Sequence, residues 1–383
     1  MTTYRSQSPS FSSRETDGPL WLRLDASIIM VAFGLLCIGV VVVYSATRGV
    51  IDPETDVANT SFLKRQAMFV GVGLGLAGIT AAVDYRKARV AVPVIYAGVF
   101  LALVGLFVFG TDLNTFATSW YSLGFITIQP SEFAKIALIL ALASWFSSIE
   151  SRDGLEFMNV GIGLGLSGIF AVLVLLQPDY GTVMVYAAIV AGIVLVAGVA
   201  MRHVAILLGS LGLAIFVIIR AGLLLDEQLS RFLSFVDLEN DDRYNVNQSE
   251  IAIGNGGLRG QGLFQGTQNI NSLVPEKESD FIFSVLGEEF GFLGGATLLA
   301  LFGLLLLRIW RVAHLAEDEF GRLICVGVFS MYLFQAFQSI GMNMGIMPVT
   351  GIPLPLISYG GSSMLTSLIA LGLVENVHAH RLR

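Results

Sequence analysis

Cysteine, histidine and charge are all scarce in this 383-residue chain. Its two cysteines, Cys37 and Cys325, each sit inside an apolar run, so they read as inert thiols and offer neither a disulfide framework nor a metal spacing. The four histidines, His203, His314, His378 and His380, fall at the ends of apolar runs and indicate no histidine-based catalysis or metal site. Charged residues make up 13% of the chain, against about 25% in soluble domains. The balance of 22 basic against 29 acidic residues leaves a formal charge of −7, so no basic face exists for a nucleic acid. Disorder and collagen-like structure are excluded by the same composition.

What is abundant is apolar side chain: 55% of residues, with a mean hydropathy of +0.75. A water-soluble fold could not cover that surface with so few charges. The expected class is therefore an all-α polytopic integral membrane protein. Runs of about 20 apolar residues, the length that crosses a bilayer, recur about ten times. They lie near 26–46, 67–83, 90–109, 131–148, 157–176, 180–200, 203–223, 281–307, 322–341 and 362–376. Residues 1–25 form a polar, Ser-rich tail without a signal-peptide pattern, 26–376 a ten-helix membrane domain, and 377–383 a short C-terminal tail.

Lys and Arg alternate between connections. One set carries Arg5, Arg14, Arg23, Arg86, Lys87, Arg89, Arg152, Arg202, Arg308, Arg311, Arg322, Arg381 and Arg383. The opposite set includes 110–130, 177–180 and 342–361, which contain no Lys or Arg. Both termini are therefore expected in the cytoplasm. Arg48, Lys64 and Arg65 fall on the outer side against this bias. The one long interruption, 224–280 between spans seven and eight, is expected to be a large extracytoplasmic loop.

Polar groups at membrane depth are costly and concentrate function. Four segments qualify. Gln129-Pro130-Ser131-Glu132-Phe133-Ala134-Lys135 opens a span, and the three-residue spacing puts Glu132 and Lys135 on one face. The pair reads either as a packing ion pair or as the lining of a polar cavity. Gln177-Pro178-Asp179-Tyr180-Gly181-Thr182 is a tight turn in which Asp179 reads as a helix cap. The third segment is the long loop. In it Gln248-Ser249-Glu250-Ile251-Ala252-Ile253 reads as a short amphipathic helix, and a glycine-rich stretch around Arg259 reads as a weak phosphate cradle. Its end, Val274-Pro275-Glu276-Lys277-Glu278-Ser279-Asp280, abuts Phe281-Ile282-Phe283. Burial there would lift the Asp280 pKa toward the working range of a general base. Glu288 and Glu289 lie two turns deeper. Finally, 348–363 holds Pro348, Pro353 and Pro355 with Gly351, Gly360 and Gly361. It cannot be regular helix and reads as a re-entrant loop, with Asn343, Thr350 and Ser358 as hydrogen-bonding groups.

These segments, in this order, resemble the SEDS family of bacterial peptidoglycan glycosyltransferases, named for RodA and FtsW. The resemblance runs from about residue 26 to 376. It rests on Gln129-Pro130-Ser131-Glu132, Gln248-Ser249 with Ile251-Ala252-Ile253-Gly254, Gly266-Thr267-Gln268, Pro275-Glu276 with Asp280-Phe281-Ile282-Phe283, and Pro348 through Ser363. It implies polymerisation of lipid II into β-1,4 glycan, with a class B penicillin-binding protein and other elongation-complex membrane proteins as partners. The family's catalytic aspartate falls on Asp280 and its intramembrane pair on Glu132 and Lys135. Met342 through Thr350 and the short termini look most like the RodA branch, which serves elongation; an FtsW-like division role and a sporulation role are the alternatives.

One departure is Ser119 before Trp120, where family members commonly carry Arg. Arg48, Lys64, Arg65, Arg243 or Arg259 would then have to meet the diphosphate. Gln248, Ser249 and Ser358 are expected to line the cavity. A divalent cation, Mg or Mn, bridging Asp280 and the diphosphate fits the chemistry, and no organic cofactor is expected. The competing functions are a lipid II flippase and a noncatalytic scaffold that activates the penicillin-binding protein.

Overall fold

The structure is a computed structural model. It describes residues 23–48, 60–110, 119–122, 124, 127–149, 157–199, 206, 241–270 and 274–381. The helices are α1 (Ala26–Thr47), α2 (Ser61–Ala82), α3 (Tyr85–Phe109), α4 (Pro130–Ser147), α5 (Phe157–Leu175) and α6 (Tyr180–Val196). After them come α7 (Asp241–Gly256), the single turn α8 (Thr267–Ile270), α9 (Ile282–Leu315), α10 (Glu319–Asn343) and α11 (Gly361–Ala379). Residues Tyr121–Ser122 and Thr127–Ile128 form a two-stranded antiparallel pair before α4.

Helices are the required solution here, because hydrocarbon offers no partner to backbone N–H and C=O groups. Their starts are set by side chains that take up free N–H groups. Asp25 accepts from Ser27, Asp84 from Arg86, Asp179 from Thr182 and Asp318 from Gly321. Pro130 opens α4, where its missing N–H costs nothing.

Six described helices are long and apolar enough to cross a membrane, and α6 is a shorter apolar helix. Helices α4 and α11, of 18 and 19 residues, are buried along most of their length. They sit inside the bundle with α10, while α3 turns Val90, Val94 and Phe109 outward to lipid. The chain is thus a multi-pass membrane protein. The expected span at 203–223 and the first part of the long loop lie outside the described residues.

Several expected boundaries shift, among them three that bear on the site. Helix α2 begins at Ser61 rather than 67, which places Lys64 and Arg65 within its first turns. Helix α9 extends to Leu315, and α7 is a 16-residue helix rather than a short one.

Helix α9 is also broken, which hydropathy could not reveal. Gly291 has φ 64 and ψ −160, a conformation for which glycine is the natural residue. The break frees carbonyls and N–H groups that the preceding loop recovers. Gln261 and Gly262 donate to the carbonyls of Glu288 and Glu289, and Phe292 and Leu293 donate to those of Gly257 and Leu258. The glycine-rich stretch therefore works as a backbone splint. A Cβ on Gly260 would lie 2.1 Å from the Glu289 carbonyl oxygen, and one on Gly291 would lie 2.3 Å from the Gly260 nitrogen.

Candidate active site

Asp280 ends a turn in which the carbonyl of Glu276 accepts from the N–H groups of Ser279, Asp280 and Phe281. Three residues on two elements fix this turn. Ser358 donates its hydroxyl to the Ser279 carbonyl at 2.6 Å, while Tyr359 N–H donates to the Glu278 carbonyl at 2.8 Å. Asn343, at the end of α10, donates from Nδ2 to the Asp280 carbonyl at 2.9 Å and accepts at Oδ1 from Ser284 N–H at 3.0 Å. Ser249 of α7 is fully buried and donates to the Asn343 carbonyl at 2.8 Å. The Asp280 backbone is thus held between α7, α10 and the 348–360 loop.

The carboxyl itself is half-buried, beside Gly351. Burial is the main reason its pKa rises from 3.8 to about 7, and the charges of Glu276 and Glu278 add to the rise. A hydrogen bond from Ser279 opposes them. Glu278 is raised chiefly by burial as well, and burial lowers Lys277, which Glu278 and Glu288 partly offset. A carboxyl whose pKa lies near neutrality is the proton acceptor that general-base chemistry requires. Deeper in α9, Glu288 accepts from Thr267 Oγ1 at 3.1 Å and Gln268 N–H at 2.8 Å, and Glu289 accepts from Ser45 of α1.

The other motif segments converge here. The 348–363 loop carries Gly351 against Asp280, and its Thr350 carbonyl packs on Gly181 at the start of α6. Asp179 caps α6 and also accepts from Gln129 Nε2 at 3.0 Å and Ser131 Oγ at 3.2 Å. Ser362 of α11 accepts from Gln129 N–H. One turn further into α4, Lys135 Nζ lies 2.6 Å from Glu132 Oε1, with both side chains buried.

Among the described residues, Glu132 Oε2 and, on α10 and α11, Gln335 Oε1, Gln338 Oε1, Ser339 Oγ and Thr366 Oγ1 are buried oxygens without a hydrogen-bond partner. An unmade bond at such an atom costs about 1–3 kcal/mol, so these positions suit water or a polyhydroxylated ligand. Gln335, Gln338 and Ser339 were not singled out from the sequence. Their i, i+3, i+4 spacing inside an apolar run was the available signal.

The expected cations are placed unevenly. Arg48 is exposed, with its guanidinium 4.8 Å from the Phe264 ring. Lys64 and Arg65 are exposed on the turn of α2 that docks on the loop through Phe62 against Tyr359 and Gln66 Nε2 to the Ser358 carbonyl. Arg259 is exposed on the splint, whose N–H groups at 261 and 262 are committed to α9 rather than to a phosphate. Arg243 lies in α7, its side chain outside the described residues, and Gln248 is half-buried on the same helix. Ser119 is buried and donates to the Gln177 carbonyl at 3.1 Å. Among the described residues no group of three or more His, Cys, Asp or Glu is placed to hold a metal.

The sequence model of the cell cycle protein family FtsW/RodA/SpoVE matches residues 25–383. The chain belongs to the FtsW/RodA/SpoVE family. Among its members, the peptidoglycan glycosyltransferase MrdB of Escherichia coli strain K12 is 34% identical over 375 residues, covering 96% of this chain and 98% of that protein. Stage V sporulation protein E of Bacillus subtilis strain 168 is 37% identical over 363 residues, covering 92% and 96%. Among solved structures of the family, the rod shape determining protein RodA of Thermus thermophilus superposes with a TM-score of 0.70 at 30% identity, over 95% of this chain and all of that one. A chain from a peptidoglycan synthase complex that coordinates polymerization and crosslinking superposes with a TM-score of 0.79 at 32% identity, with the same coverage.

Proposed function

We propose that this chain, a peptidoglycan glycosyltransferase by family, polymerises lipid II with Asp280 as general base. The observation that carries the reading is a half-buried carboxyl that burial lifts to a pKa of about 7, on a backbone turn fixed by Asn343 of α10 and Ser358 of the 348–360 loop. The donor sugar is α-linked to diphosphate and the product is β-1,4, so a single inverting displacement suffices. The acceptor 4-hydroxyl attacks the anomeric carbon, Asp280 takes its proton, and diphosphate departs with the bonding electron pair. No second catalytic acid is needed, because diphosphate leaves unprotonated, unlike the leaving alcohol in glycoside hydrolysis. General-base help of this kind is worth about 10²–10⁴-fold.

Glu132 and Lys135 supply the charged floor of the interior. Arg48, Lys64 and Arg65 are available to the diphosphate at the rim. Asp280 is the residue that would hold a hard cation together with the diphosphate oxygens, since no group of three or more His, Cys, Asp or Glu among the described residues is placed to do so alone. Bound there, Mg or Mn would neutralise charge on the leaving diphosphate.

In the membrane, the Asp280 end of the bundle faces away from the cytoplasm and both termini face it, following the distribution of Lys and Arg. A class B penicillin-binding protein is the partner that supplies crosslinking, and the membership of a family neighbour in a synthase complex supports this. Cell-wall elongation is the role we favour. Against a flippase stands the position of Glu276, Glu278 and Asp280, ahead of the span that starts at Ile282 rather than at the midplane, and a noncatalytic scaffold leaves the raised carboxyl of Asp280 without a role.

The test uses purified protein and lipid II in detergent, where no membrane has to be crossed. Asp280→Ala should abolish glycan chains while the protein stays folded and binds its partner. Full polymerisation by that variant would overturn the reading.

A further inference from the structure

A second polar feature lies at the other end of the bundle. Arg308 sits 16 residues beyond Phe292, past the break in α9, about 24 Å along that stretch of helix, so this feature is separate from Asp280. There Arg308 Nη2 reaches both carboxylate oxygens of Asp25, at 2.7 and 2.8 Å. Asp25 N–H donates to Glu375 Oε2 at 2.8 Å. Glu375 is 6% exposed, and its second oxygen, Oε1, has no hydrogen-bond partner among the described residues. Asp25 and Arg308 are the charged groups acting on it among the described residues. Arg308 commits its hydrogen bonds to Asp25, whose Oδ2 also lies 3.9 Å from His378 Nδ1, so Glu375 keeps an unfilled acceptor site.

Glu375 is also the one ionisable residue lining an apolar cavity of about 240 Å³ between α1, α2 and α11. Ile28, Ala32 and Leu36 form one wall, Leu74 the second and Leu371 the third. Exposed Ile29 and Phe33 stand at its edge, so the groove opens toward lipid rather than into the bundle. Its lining on α1 runs from Ile28 to Leu36, about 12 Å of helix, within the ~15 Å depth of one leaflet's hydrocarbon. An occupant therefore has one acyl chain along the groove and its head group level with Glu375.

We infer that this groove binds an aminophospholipid, whose primary ammonium donates to Glu375 Oε1 while one acyl chain fills the apolar trough. A half-satisfied buried carboxylate is costly, and a cationic N–H donor offsets both its charge and its missing bond. A choline head group has no N–H to donate, and a glycerol head group has no positive charge.

The full chain, delipidated in detergent, would be titrated with phosphatidylethanolamine, phosphatidylcholine and phosphatidylglycerol of identical acyl chains, and bound lipid counted by native mass spectrometry. Phosphatidylethanolamine should bind at least tenfold more tightly than the other two. Glu375→Gln keeps an acceptor for Asp25 N–H and should erase that preference. Gly78→Leu projects into the groove, where a Cβ at this position meets nothing within 4 Å. It should weaken all three lipids at least tenfold, with lipid II polymerisation unchanged. Equal binding of the three lipids by the wild type, or a preference that survives Glu375→Gln, would overturn the head-group assignment. Undiminished binding by Gly78→Leu would overturn the groove, and this arm decides even if Glu375→Gln does not fold.

Discussion

Removing the Asn343 side chain tests how Asp280 is positioned. Asn343→Ala deletes the donor to the Asp280 carbonyl at 2.9 Å and the acceptor for Ser284 N–H at 3.0 Å. The Ser339 carbonyl, its third partner at 2.8 Å, lies one helical turn back in α10 and is a backbone acceptor within that helix. Ser284 N–H also reaches the Phe281 carbonyl at 3.1 Å, so its loss is partial. Leaving one buried group unsatisfied costs about 1–3 kcal/mol, and the two together should cost about 2–4 kcal/mol. The turn would still be held by Ser358 and Tyr359. The protein should therefore fold with a lowered melting temperature and an Asp280 free to shift. A displacement near 1 Å can cost about 10²-fold in rate. The assay is glycan formation from lipid II per folded molecule, well below the melting temperature of the variant. A lowered melting temperature with an unchanged kcat would show that Asn343 only stabilises the fold, and would refute the positioning argument.

Three further outcomes follow from the same geometry. Glu132→Gln or Lys135→Met alone should destabilise the protein by about 3–5 kcal/mol, because each strands a buried charge, while the double replacement should recover most of that loss without recovering polymerisation. A thermal-melt double-mutant cycle reads the first part, and glycan assay of the double variant reads the second. Gly291→Ala should abolish folding or expression, since it forces both a positive φ and a backbone clash, whereas Gly254→Ala, on α7 with no atom near its Cβ, should be neutral or slightly stabilising by solubility and melting assays. Asp280→Asn should melt higher than wild type at pH 8.5. The folded pKa of Asp280 is raised, so its contribution to stability is present below about 3.8 and is lost as pH rises through about 7. The gap between the two proteins should narrow as pH falls from 8 toward 4.

The sequence made the membrane class legible because ten apolar runs leave few alternatives. It also made Asp280 legible, because an acid directly before Phe281-Ile282-Phe283 has to be desolvated. The Asp179 cap and the irregular 348–360 backbone were readable from local chemistry alone. The break at Gly291 was not, since hydropathy averages over glycine and the splint that repairs the break lies some thirty residues upstream. The same holds for Asn343 and Ser358, whose partners are 63 and 79 residues away. The Asp25, Arg308 and Glu375 cluster was hidden for a related reason: each residue alone reads as an ordinary charge at the end of a span.

The pH dependence of polymerisation tests the base assignment most directly. The carboxylate is the active form, so kcat/KM for lipid II should fall about tenfold per pH unit below the pKa near 7 and level off above it. A profile that is flat from pH 5.5 to 8.5, with partner and cation held constant, would contradict Asp280 as the group that takes the proton.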